Sequence, residues 1–187
     1  FFHWNEVIQV NIHLNRMFFS NDHPHLFGLS IYFQGCDRHP KCPYCHNPQT
    51  WQPGIGYEYD LNELIEIVIG KVEYVMQTYS KLAVCYVGGE PLASYNRDAV
   101  LELSRAFKLK FGDSIVNTLF SWRMPDDIVE QGLLDYVAYI DEFVLGPYDH
   151  TKRNEIDGKL LFPASTNQVY LKEGLMNAST VQLSARV

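Results

Sequence analysis

Six stretches of the chain are apolar and β-branched over the length of a strand: EVIQVNIHL (6–14), FGLSIYFQG (27–35), KLAVCYVGG (81–89), SIVNTLFSW (114–122), EFVLGPY (142–148) and NQVYLKE (167–173). Between several of them the apolar positions switch to helical spacing. DLNELIEIVIGKVEYVMQTYS (60–80) opens with Asp60 three residues before Glu63, a capping-box-like start. NRDAVLELSRAFKLKFG (96–112) repeats its apolar residues three and four apart and stops at Gly112. MPDDIVEQGLLDYV (124–137) puts Pro125 and two aspartates in a first turn, where the missing amide and the helix dipole favour them. Strands alternating with helices predict crossover units, a mostly parallel sheet and a single α/β domain over residues 1–187. In such sheets sites gather at the carboxyl ends of the strands. FGLSIYFQG runs straight into a cysteine-rich loop, and KLAVCYVGG ends on Gly88-Gly89-Glu90, so both signals are expected on one face.

Composition narrows the partners. The chain has 187 residues, 47% apolar and 20% charged, with a net charge of −7. That is enough chain for a real core, and its acidity argues against nucleic acid, which needs clustered Lys and Arg. No run has the length of a membrane span, and the first residues show no basic-then-apolar signal pattern. Three of the four cysteines lie close together and the fourth, Cys85, sits inside an apolar run. That distribution predicts a site in a reducing, cytoplasmic setting and not a disulfide framework.

Four chemistries compete for CPYCHNPQTW (42–51) and the upstream Cys36. A glutaredoxin-like dithiol needs Cys42 at a helix N-terminus, and Pro48, Pro53, Gly54 and Gly56 forbid a helix there. C-x-x-C-H haem attachment would use His46 as axial ligand but leaves Cys36 idle. A structural zinc site can draw on Cys42 and Cys45 with Cys36 and His39, yet it gives no account of GGEPL. A cluster of four irons and four sulfides (4Fe-4S) on three cysteines uses the odd count directly. It leaves one iron open to chelate a substrate, beside a diglycine turn whose backbone can approach a ligand closely.

With IYFQGC, CPYCHNPQTW, VGGEPL and its following helix, DEFVLGPY and STNQ in place, the chain resembles the radical S-adenosylmethionine (SAM) superfamily over about residues 21–170. More closely it looks like the small activating enzymes of anaerobic ribonucleotide reductase. The resemblance implies an incomplete, open (β/α) barrel. It implies that Cys36, Cys42 and Cys45 ligate the cluster, whose open iron takes the amino and carboxylate groups of SAM. It places Tyr44 against the adenine and Cys45 and His46 by the nucleoside. Gly88, Gly89 and Glu90 would receive the methionyl ammonium, and Ser121 would meet the ribose or carboxylate. An electron from flavodoxin or ferredoxin would cleave SAM to methionine and a 5′-deoxyadenosyl radical. That radical would install a glycyl radical on a large reductase. Modification of a peptide or small molecule is the alternative within the superfamily, and a zinc-bearing binding domain the alternative outside it.

The chain also departs from that pattern. Its spacing is C-x5-C-x2-C where the family usually has C-x3-C-x2-C. A loop two residues longer costs little in closure entropy and reaches the same iron. The family's Gly-Pro-Gly-x-Arg is replaced by a stretch containing HPHLFG, its late Asp-Gly is Leu145-Gly146, and the Arg expected after Asn167-Gln168 is Val169. Of the remaining residues, Cys85 reads as a core thiol, and His23 and His25 as members of a mobile surface loop. Asp141 and Glu142 read as solvated charges, and Arg123 as a candidate partner for the SAM carboxylate.

Overall fold

The computed structural model describes residues 10–175. Its strands are β1 (Asn11–Ser20), β2 (Gly28–Phe33), β3 (Tyr57–Asp60), β4 (Leu82–Gly88), β5 (Ile115–Ser121), β6 (Glu142–Leu145), β7 (Arg153–Ile156), β8 (Lys159–Ser165) and β9 (Val169–Leu171). The helices are α1 (Leu61–Val75), α2 (Arg97–Phe111) and α3 (Pro125–Glu130). Seven strands form one open sheet in the order β3-β1-β2-β4-β5-β6-β9, and β7 and β8 make a separate hairpin. β2, β4, β5 and β6 are parallel neighbours, while β1 and β9 run antiparallel to theirs. Since β3 is antiparallel to β1, it points the same way as the central four. The sheet is therefore mixed but mostly parallel, and it does not close on itself.

The central strands come from the most continuously apolar runs: every residue of β2 is buried, as are the first six of β4. One sheet face meets the helices. There Leu29, Ile31, Phe33, Leu82, Val84, Tyr86, Leu119 and Phe143 pack with Leu64, Val68 and Val72 of α1 and Val100, Leu103 and Phe107 of α2. The other face carries a smaller apolar group, Tyr32, Ala83, Cys85 and Val87 with Leu26 and Phe120, and Phe162 of β8 stands edge-on to Phe120 and Tyr170. Asp60 caps α1 by accepting the amides of Asn62 (2.9 Å) and Glu63 (3.1 Å). Asp60→Ala is expected to cost about 1 kcal/mol of stability, read as a lower urea midpoint at unchanged slope.

Several expected boundaries move. The first strand covers Asn11–Ser20 instead of 6–14, and residues 6–9 lie outside the described part. The third helix stops at Glu130, and Leu134–Val137 forms a separate 3-10 turn. The loop holding His23 is not a mobile surface segment. His23 is 5% exposed, its Nε2 lies 2.8 Å from Glu142 Oε2, and its Nδ1 accepts the amides of His25 and Leu26. Glu142 also accepts the Tyr170 hydroxyl, and Asp141 accepts the Asn117 amide and pairs with Lys108. Neither acid is the free solvated charge the sequence suggested. Among the described residues no helix is long and apolar enough to cross a membrane.

Candidate functional site

The loop that leaves β2 folds back on its own start. Gly35 and Cys36 donate their amides to the carbonyls of Thr50 (2.7 Å) and Trp51 (3.0 Å), and the Gln34 side-chain amide donates to Gln49 O (3.0 Å) and Gln52 O (2.7 Å). The prolines allow only a 3-10 turn at Pro48–Thr50, tightened by the buried Thr50 hydroxyl on Asn47 O. Cys36, Cys42 and Cys45 all stand on this loop, partly exposed and with free thiols. Cys45 N donates to Cys42 O across a tight turn in which Tyr44 takes a positive φ of 56°. Asn47 N–H donates to Cys45 Sγ at 3.4 Å, and the backbone of Arg38 and of Tyr148 works against a rise in the pKa of Cys36 and of Cys42. Burial nonetheless raises both thiols. Such thiols keep their protons until a metal takes the charge, and amides aimed at sulfur are what a bound iron–sulfur cluster uses to set its potential. The donor set thus fits a cluster. Among the described residues no group of three or more His, Cys, Asp or Glu is gathered closely enough to hold one metal ion.

The diglycine turn lies against this loop. Gly89 donates its amide to Phe33 O (3.0 Å) and Glu90 to Gly35 O (2.8 Å). A Cβ on Gly89 would come within 2.1 Å of Gly35 O, and one on Gly88, whose φ is +108°, within 2.6 Å of Phe33 backbone atoms. The glycines let the exit of β4 touch the backbone leading into Cys36. Gly89→Ala is expected to destabilise by about 2 kcal/mol or more and to lower cluster occupancy, measured by unfolding and by iron content.

Glu90 is fully buried, and burial pushes its pKa up to about 7 despite the neighbouring Arg123. Its Oε1 accepts Leu92 N (2.9 Å) and Ser121 Oγ (2.8 Å) and pairs with Arg123 (3.1 Å), and its Oε2 accepts Trp122 N (3.1 Å). Arg123, 5% exposed, reaches on to Asp37 Oδ2 at 2.6 Å, and Trp122 Nε1 donates to Asp37 Oδ1 at 3.0 Å. The residue after the first loop cysteine is thereby clamped to the end of β5. Arg123, read from sequence as a ligand for a substrate carboxylate, is engaged by two carboxylates of the chain itself.

Residues 27–171, well over half of the chain, match the family described as a 4Fe-4S single cluster domain. The chain belongs to that family. A protein of Methanocaldococcus jannaschii, provisionally named a glycyl-radical enzyme activating enzyme, is 28% identical over 118 residues, covering 63% of this chain and 44% of that relative. The matched stretch spans less than half the length of this curated relative.

In this 4Fe-4S domain the fold brings part of the residues singled out in the sequence together. Cys36, Gly88–Glu90 and Ser121 meet where β2, β4 and β5 end. Tyr44 and His46 point instead to the segment after β6: Tyr44 packs on His150 (4.4 Å) and His46 on Tyr148 (4.3 Å), with Tyr44 still 76% exposed. Burial, and secondarily Arg153, lowers the pKa of His46. Asn96, Asp37 and Gln34 escaped the sequence reading. Asn96 Nδ2 bridges Gln34 O (3.1 Å) and Glu90 O (3.0 Å), joining both halves of the site. Only Asp37 had a signal, a charge inside an unusually long loop.

Proposed function

We propose that this domain is a radical SAM enzyme of the glycyl-radical-activating type, built as an open (β/α) barrel. The observation that carries the reading is a loop of three free cysteines held directly against the Gly88–Glu90 turn. In this reading Cys36, Cys42 and Cys45 hold the cluster, and the turn at Gly88, Gly89 and Glu90 receives the methionyl ammonium. Ser121 holds Glu90 in place and borders the ribose or carboxylate, while Tyr44 and His46 border the nucleoside. When bound, the cluster would supply the electron for reductive cleavage of SAM to methionine and a 5′-deoxyadenosyl radical, which would take a hydrogen atom from a glycine Cα of the partner and leave as 5′-deoxyadenosine. The protein's share is to orient SAM, exclude water and present the glycine. The anaerobic ribonucleotide reductase is the proposed partner, flavodoxin or ferredoxin the electron donor, and the cytoplasm the setting. The name of the archaeal relative supports activation of a glycyl-radical enzyme.

The test is anaerobic reconstitution and reduction followed by incubation with SAM. 5′-Deoxyadenosine and methionine are expected in equal amounts, and a glycyl-radical doublet in the electron paramagnetic resonance spectrum when a candidate reductase is present. Cleavage without a doublet on any candidate, but with a modified peptide or metabolite, would move the assignment to the other radical SAM reading. A colourless protein with one zinc per chain would end both.

A further inference from the structure

The segment between Cys36 and Cys42, two residues longer than the usual spacing, brings two cations into the cysteine loop. Lys41 donates its ammonium to the carbonyl of Cys36, and Arg38 its guanidinium to the carbonyl of Pro40. Both side chains are thus folded back onto the loop, and both are half-buried. The Lys41 contact falls on the residue whose sulfur is the first of the proposed ligands. Covalent geometry alone then keeps the ammonium within about 7 Å of that sulfur.

Neither charge is spent on an acid: among the described residues Lys41 and Arg38 pair with no carboxylate. Asp37 and Glu90, whose charges act on Cys36 in the opposite sense, are both engaged by Arg123. Burial is the largest influence on the two thiols, and among the groups opposing it are Lys41 at Cys36 and Arg38 at Cys42. The potential of an iron–sulfur cluster follows the charge around it, and a nearby cation favours the more negative, reduced core. We propose that Lys41, seconded by Arg38, sets the potential of the cluster, raising it so that the single electron needed for SAM cleavage enters more readily. The inference rests on the reading of Cys36, Cys42 and Cys45 as cluster ligands. In the step it governs, an external one-electron donor is oxidised and the four-iron core passes from dication to monocation, with no bond made or broken. The longer loop of this chain thereby gains a purpose: it carries the cations and turns them inward.

The test is a mediated redox titration of the reconstituted full chain at low ionic strength, with the reduced cluster followed by electron paramagnetic resonance. Lys41→Arg keeps the charge, Lys41→Gln removes it but retains a donor for the Cys36 carbonyl, and Lys41→Glu reverses it. At a fixed applied potential Lys41→Gln is expected to lower the reduced-to-oxidised ratio at least about threefold, ~28 mV for a one-electron couple. Lys41→Glu should lower it about ninefold, the square of that effect, and Lys41→Arg should stay with the parent. Arg38→Gln should shift the ratio in the same direction, and it decides the matter where the Lys41 variants fail to load. Equal potentials across the loaded Lys41 series, a Lys41→Arg shift as large as that of Lys41→Gln, or, failing their loading, an unshifted Arg38→Gln overturns the proposal and leaves the ligand assignment standing. A parent chain that takes up no iron overturns both, and the iron assay tells the two failures apart.

Discussion

Replacement of any one of Cys36, Cys42 and Cys45 by alanine is expected to abolish the four-iron cluster. Iron and acid-labile sulfide should fall from four of each per chain to background after anaerobic reconstitution, and SAM cleavage should vanish with them. The reason is coordination. In the proposed assignment one iron has no protein ligand, so losing a second leaves the cluster held by two sulfurs of one loop. The contrasting variant is Cys85→Ala. Cys85 is 1% exposed on the helix-free face of β4, and burial pushes its thiol far above the ordinary range, with Asp22 next in adding to the shift. Its loss should leave iron, sulfide and turnover unchanged. A Cys85 variant that loses its iron would contradict the assignment of ligands as surely as a Cys42 variant that keeps it.

Arg123→Met should destabilise the protein by about 3–5 kcal/mol at pH 8, because it strips the charged partner from a fully buried carboxylate. The pH dependence separates this from simple loss of packing. Glu90 titrates near 7 in the fold against an ordinary 4.5, so the folded state holds the extra proton between those values. Unfolding there releases a proton. This group's contribution is full below about 4.5, declines as pH rises through the window, and levels off above 7. Removing Arg123 raises the folded pKa further and extends the decline upward in pH. The cost of the variant should therefore be clearly smaller at pH 5, where Glu90 is protonated with or without its partner, than at pH 8. Anaerobic urea unfolding of the cluster-loaded protein at the two pH values measures it. A cost independent of pH would mean that Glu90 is not what Arg123 serves.

The cysteine loop was legible in the sequence because its parts are local. Three cysteines within ten positions, with prolines that exclude a helix, restrict the chemistry before any fold is known. The central strands were legible for a related reason, since a strand buried on both faces must be apolar throughout. β3 was not, because Tyr57–Asp60 has little apolar character and forms only by pairing with β1. The β7–β8 hairpin carried a readable Asp157-Gly158 turn, both residues at positive φ (51° and 77°), but its strands have no clean alternation. The clamp was invisible. Arg123 and Asp37 are 86 residues apart, as His23 and Glu142 are 119 apart. None of the four reveals its partner until the sheet order brings the two alongside.

Mössbauer spectroscopy of the reconstituted protein, loaded with isotopically enriched iron and recorded before and after SAM, tests the central assignment most directly. Three cysteine ligands leaving one corner free predict that a quarter of the iron signal shifts when SAM is added while the rest stays fixed. Four irons indifferent to SAM, or zinc in place of iron, would contradict it.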